Sequence, residues 1–201
     1  MTDIRGQLAA LKADDVPIHG GRTLAYVYDS GIAEANRVGE EAVAAFAGSN
    51  GLDPTAFPSL LTMENTIVGQ ALDLLDAPQN AVGTVTSGGT ESVLLAVQSA
   101  RDGVSIGSER PNMVLPATAH AAFHKAAHYF GVEPRIVPVG ADFRADPQAM
   151  AAASDANTVL FVGSAPSYAH GVIDPITEIA AIAAERGVRC HVDACIGGWV
   201  L

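Results

Sequence analysis

Two glycines, a histidine and an aspartate carry the chemistry this sequence could do. The stretch "TVTSGGTESVLLAVQSARD" brings a short β-rich run to Gly88 and Gly89, then enters a helical pattern with apolar residues at Val93, Leu94 and Val97. Glycines at a helix start let backbone N–H groups approach an anion, and the helix end is itself positive. With the hydroxyls of Ser87 and Thr90, the turn suits a phosphate monoester without any lysine in the loop. A plain strand–turn–helix connection reads the same way. The spacing matches neither G-x-G-x-x-G nor G-x-x-x-x-G-K-[ST], so neither a dinucleotide nor a nucleoside triphosphate is indicated.

In "HAAFHKAAHYF", His120, His124 and His128 are four residues apart and on one continuous helix would form a stripe. Zinc wants three or four convergent ligands, yet no H-E-x-x-H occurs and no acidic partner stands nearby, so no metal site is expected. His124 and His128 read as histidines on a partly solvated helix face. His120 stands where the apolar run "NMVLPA" hands over to the helix, and open α/β sheets bind ligands at such strand ends. Asp193 ends the apolar run "VRCHVD" and points to the same rim. A carboxylate there could hold a metal, act as a base, pair with a cationic heterocycle, or cap the following turn.

These residues need a scaffold, and the second part of the chain supplies its pattern. From residue 83 onward, short apolar runs alternate with helical ones: "NMVLPA", "HAAFHKAAHYF", "PRIVPV", "DPQAMAAAS", "NTVLFVG", "DPITEIAAIAAERG", "VRCHVD". Such alternation predicts an α/β fold with a mainly parallel sheet and flanking helices. Asp146-Pro147 and Asp174-Pro175 each open a helical run, so both carboxylates are expected to cap free N–H groups. The first eighty residues read as a helical and irregular segment. "AEANRVGEEAVAAFAG" and "PSLLTMENTIVGQALDLLDA" have helical apolar spacing, and the turn-rich loop "SNGLDPTAFPS" lies between them.

Composition excludes several partners. The formal net charge of -11, with 22 acids against 11 Lys and Arg, repels phosphate backbones and anionic lipid, so no nucleic acid partner is expected. No apolar run approaches the roughly 20 residues of a membrane span, and "MTDIRGQLAALKADD" has no apolar signal core, which reads as a cytoplasmic protein. Cys190 and Cys195 are expected to be buried thiols rather than a disulfide.

The motifs "YVYDSG", "NGLDPTAFPSL", "TSGGTESVLLAV", "HAAFHKAAHYFG", "GSAPSYAHGVIDPI" and "HVDACIGG", in this order, resemble the pyridoxal-phosphate-dependent group II decarboxylase family, in its sphingosine-1-phosphate lyase-like branch. The resemblance runs from about Gly20 to the last residue. It implies part of the large domain of the fold type I pyridoxal enzymes at 81–201, incomplete, and an N-terminal segment at 1–80 that supplies a substrate loop and dimer contacts. The implied cofactor is pyridoxal 5'-phosphate, and the implied substrate is a small molecule bearing an amino group. Ser87, Gly88, Gly89 and Thr90 would cradle the phosphate, His120 would stack on the pyridine face, and Asp193 would pair with the pyridine nitrogen. Ser164, His170 and Cys195 would border the cofactor, while Tyr28 and Asn50 would lie near the substrate. The full-length form would be a homodimer.

In that family the lysine that anchors the cofactor lies beyond the HVDAC motif. The two lysines here, Lys12 and Lys125, match neither its position nor its context. Two readings follow. The chain is a truncated part of a carbon–carbon lyase, acting on a phosphorylated long-chain base or as an amino acid carboxy-lyase. Alternatively, it is a non-catalytic cofactor-binding fragment that needs a partner chain.

Overall fold

The computed structural model of the chain describes residues 3–23, 26–27, 29–105 and 109–200. Two compact units are present, Met1–Met63 and Glu64–Leu201. The first holds α1 (Ile4–Lys12) and α2 (Ala33–Phe46), and α3 (Pro58–Leu74) runs through the boundary. None of these three helices contains a buried residue.

The second unit continues with α4 (Gly89–Asp102), β1 (Asn112–Pro116), α5 (Ala122–Phe130), β2 (Glu133–Val137), α6 (Pro147–Ala153), β3 (Thr158–Ser164), α7 (Ile176–Glu185) and β4 (Arg189–Asp193). Its four strands are all parallel, in the order β2-β1-β3-β4. Strand side chains alternate between the two faces of the sheet. In β1, Met113 and Leu115 join Val97 and Phe123 in one core, while Val114 joins Met150, Phe161 and Ile179 in another. Helices α4 and α5 therefore cover one face, and α6 and α7 the other. Gly163 in β3 makes the second packing possible, since a Cβ there would meet Ile176 Cδ1 at 2.8 Å. The order of the sheet reverses between β1 and β3. Crevices at such reversals, outside the strands' C-terminal ends, are where open α/β sheets bind ligands.

All the strands and helices expected between residues 112 and 193 are present, but four local expectations fail. The β-rich run before Gly88 forms no strand over residues 81–86, because β-rich residues become a strand only when another strand pairs with them. Asp146 does cap α6, accepting from the N–H groups of Gln148 and Ala149. Asp174 does not cap α7: it is 2% exposed, and its carboxylate turns inward to other backbone donors. Cys190 and Cys195 are exposed rather than buried: Cys190 lies on β4, which has a strand on one side only, and Cys195 in the turn beyond it. Finally, His120 lies two residues before α5 rather than on it, which breaks the histidine stripe; His124 and His128 are on the exposed face of the helix.

Candidate functional site

A cleft of about 250 Å³ opens at the C-terminal end of the sheet, lined by Gly89, Thr90, Val93, His120, Asp193 and Cys195. Three separate elements converge there: the first turn of α4, the loop leaving β1, and the end of β4.

The α4 wall is built by glycine. Gly88 is the N-cap, at φ 157° and ψ 172°, a region that side chains disfavour, and it offers the helix no capping side chain. The first N–H groups of a helix have no intrahelical acceptor, so those of Gly89 and Thr90 face the cleft region as donors. A Cβ at Gly88 or Gly89 would meet nothing within 4 Å, so the space above the turn is open. Ser87 is held differently: its N–H donates to Glu91 Oε2 at 2.6 Å. The Ser87 hydroxyl and N–H hold the Glu91 carboxyl below its ordinary value, with burial opposing. Thr86 braces the turn from behind, its hydroxyl 2.7 Å from Ser92 Oγ.

His120 is fixed by its own backbone, because Nδ1 accepts the N–H of Ala122 at 3.1 Å and so caps the start of α5. Its outer side meets the Tyr168 ring, with centroids 5.8 Å apart and planes tilted by 60°. Asp193 is set by strand register, paired with Ser164 of β3, and its carbonyl accepts the N–H of Ala165 at 2.8 Å. Its Oδ1 accepts the N–H of Cys195 at 3.2 Å, so the turn-capping role is real and coexists with its place in the cleft. Behind it, burial pushes the His191 imidazole below its usual value, while the Asp193 charge opposes that shift.

The structure thus brings together Gly89, Thr90, His120, Asp193 and Cys195, with Ser87 and Gly88 in the adjoining turn. Ser164 is buried at the end of β3 beneath them. His170 is exposed in the following loop, stacked on Phe143 at 4.3 Å, and does not line the cleft. Asn50 belongs to the first unit, where its Oδ1 accepts the N–H of Leu52. Tyr28 lies outside the described residues. Sequence reasoning passed over Glu91 and Tyr168. Glu91 did carry a local signal, an acid three residues past the N-cap as in a capping box, whereas nothing near Tyr168 in sequence marks its contact with His120.

A wider open hollow at the other end of the sheet is lined among others by Ser105, Asp155, Thr158 and Arg186, of which Asp155, Thr158 and Arg186 are bonded to Asn112, Arg135 and Ser154 nearby. Asp155 accepts from Asn112 Nδ2 and Arg135, and is held at about 2 chiefly by the Asn112 bond. Among the described residues no group of three His, Cys, Asp or Glu is placed to hold a metal ion, and no helix is long and apolar enough to cross a membrane.

The cleft's donor set fits pyridoxal phosphate group by group. Uncapped N–H groups and a threonine hydroxyl suit its phosphate, an imidazole suits a flat ring, and a carboxylate suits a protonated ring nitrogen. Comparison with known proteins agrees. The sphingosine-1-phosphate lyase of Dictyostelium discoideum is 42% identical over 171 residues, covering 84% of this chain and 32% of that protein. Among solved structures, the sphingosine-1-phosphate lyase of Burkholderia pseudomallei superposes with a TM-score of 0.78 at 40% identity, over 84% of this chain and 41% of its own. The glutamate decarboxylase of Lactobacillus brevis shares the fold at TM-score 0.78 and 21% identity, over 99% of this chain and 49% of its own. The chain spans about a third of the length of the first curated relatives it matches. Residues 34–201 match the pyridoxal-dependent decarboxylase conserved domain, and the chain, with its parallel sheet of the fold type I large domain, belongs to that family.

Proposed function

We propose that this chain forms the phosphate- and ring-binding part of a pyridoxal-phosphate-dependent carbon–carbon lyase. The observation that carries the reading is the convergence of Gly89, Thr90, His120 and Asp193 on one cleft. Pyridoxal phosphate supplies an electron sink next to the bond that breaks. The chain's residues do the rest. Gly89 and Thr90 bind the phosphate dianion through N–H groups at a positive helix end. His120, held by its bond to Ala122, orients the ring by stacking on one face, and Asp193 keeps a proton on the ring nitrogen. Cys195 and Ser164 border the floor, with Ser87 and Gly88 shaping the turn. His170 belongs to the cofactor edge, and Tyr28 and Asn50 to the substrate side, of the same reading.

The substrate carries an amino group. The level of identity to sphingosine-1-phosphate lyases favours a phosphorylated long-chain base over an amino acid. A homodimer is the proposed assembly, supported by the apolar side chains that α1 to α3 leave exposed, among them Leu8, Val43 and Leu61. The two exposed thiols suit a reducing, cytoplasmic setting.

One observation favours the second reading, a cofactor-binding part that relies on another segment or chain for its anchor. Neither lysine lines the cleft, and Lys125 Nζ lies over the Tyr129 ring at 5.5 Å. The experiment is a pyridoxal phosphate titration of the 201-residue chain, followed by borohydride reduction and peptide mass mapping. Saturable binding without a stoichiometric lysine adduct is expected. No saturable binding would overturn the proposed site, and a full adduct on Lys125 together with turnover would overturn the placement of His120 over the ring.

A further inference from the structure

The loop that carries Tyr168 and leads away from β3 is tied at its base by one buried side chain. Asp174 is 2% exposed, and no Lys, Arg or His of the described residues forms an ion pair with it. Its Oδ2 accepts the N–H of Ser164 at 2.8 Å, and its Oδ1 accepts the N–H of Ala145, also at 2.8 Å. In return, the Asp174 N–H donates to the Ser164 carbonyl at 3.0 Å. Both ends of the loop 164–174 are therefore closed on each other, and the closure is joined to a second loop, the one before α6.

That second loop adds two more ties. Phe143, at the unusual φ of 62°, stacks on His170 with planes 16° apart, and Arg144 donates to the Ile173 carbonyl. Three consecutive residues, 143 to 145, thus hold positions 170, 173 and 174. A bulky side chain in the left-handed region persists only where its surroundings enforce it, so the loop is held rather than loosely laid.

What the closure holds is the cleft. Ser164 stands beside Asp193 in the β3–β4 register, and the next N–H, that of Ala165, donates to the Asp193 carbonyl. Within the loop, Ser167 donates to the Thr118 carbonyl at 3.5 Å and Tyr168 leans on His120. The two backbone donors reach separate oxygens, and an amide in place of the carboxylate would set its NH2 group against one of them.

We propose that Asp174 is a positioning residue, whose carboxylate seats the ends of β3 and β4 and the Tyr168 loop so that Asp193 and His120 face one cleft. The effect on cofactor affinity rests on the proposed function above; the effect on order does not.

The test compares Asp174→Asn with Asp146→Ala in the full chain, by hydrogen–deuterium exchange and by pyridoxal phosphate titration. Asp174→Asn is expected to speed exchange about tenfold or more in residues 163–173 and 193–197, with α4 and β1 at wild-type rates. Cofactor affinity should fall several-fold. Asp146→Ala, which removes an exposed cap, should loosen α6 alone and leave affinity unchanged. Wild-type exchange at 193–197 in Asp174→Asn, or a uniform rise across the sheet, would overturn the proposal. Should Asp174→Asn fail to fold, the double variant Phe143→Ala, Arg144→Ala removes two outer ties and must loosen the same segments for the proposal to stand. If the wild-type chain binds no pyridoxal phosphate, the cofactor reading falls while the exchange pattern still decides the role of Asp174.

Discussion

Glu91 accepts the backbone N–H of Ser87 at 2.6 Å, so the first turn of α4 holds the turn that leads into it. This places a negative charge beside a proposed anion site while keeping that site in shape. The two effects separate by substitution. Glu91→Gln keeps an acceptor oxygen and removes the charge, so affinity for inorganic phosphate should hold or rise. Glu91→Ala should lower it several-fold. Because the folded Glu91 carboxyl lies below its ordinary value, its stabilising tie is complete above that ordinary value and is lost as pH falls through the lower, folded one. Phosphate titrations carried from neutral pH down through the range below the ordinary Glu91 value check both points, and equal affinity in the Gln and Ala variants would remove Glu91 from the site.

For Asp193, phosphate binding and ring protonation are separate jobs. A carboxylate about 4 Å from a cation is worth roughly 4 kcal/mol at an effective dielectric of 20, before desolvation is subtracted. In a form of the protein that carries an anchoring lysine, Asp193→Asn should retain cofactor and lose most turnover, by about 100-fold or more. Unchanged turnover would take Asp193 out of the mechanism, and complete loss of cofactor would give it a mainly structural role.

His120 presents a ring and also caps α5 through Nδ1. His120→Phe keeps the flat face and loses the cap, whereas His120→Ala loses both. Each should lower helix stability by about 1 kcal/mol, and only the Ala variant should weaken pyridoxal phosphate binding strongly. Thermal unfolding paired with cofactor titration separates the two. Equal affinity losses would argue against stacking.

Phe161, wholly buried in β3 between Val114, Met150 and Ile179, anchors the face of the sheet under α6 and α7. Phe161→Ala should cost about 3–5 kcal/mol in urea unfolding, because the packed neighbours can close only part of the cavity. A loss under 1 kcal/mol would mean that this face is loosely packed.

Much of this was legible in the residues. The alternation of apolar runs from "NMVLPA" to "VRCHVD" marks four parallel strands and their helices, since periodicity and strand length are local properties. The Asp146-Pro147 cap also follows from neighbours in sequence, as its acceptor and donors are two and three residues apart.

Local sequence thus sets the order of the elements and the chemical types at their ends: glycines before α4, a histidine after β1, an aspartate ending β4. What each of those groups touches follows from long-range packing. Asp174 has the same Asp-Pro signature as Asp146, yet it turns inward because the N–H groups of Ser164 and Ala145, 10 and 29 residues away, come to the same buried point. Residues 81–86 are β-rich without forming a strand, and the two thiols are exposed, because pairing and burial depend on which strand lies alongside. Tyr168 reaches His120 across 48 positions of chain for the same reason: β1 and β3 are neighbours in the sheet, and no local preference encodes that adjacency.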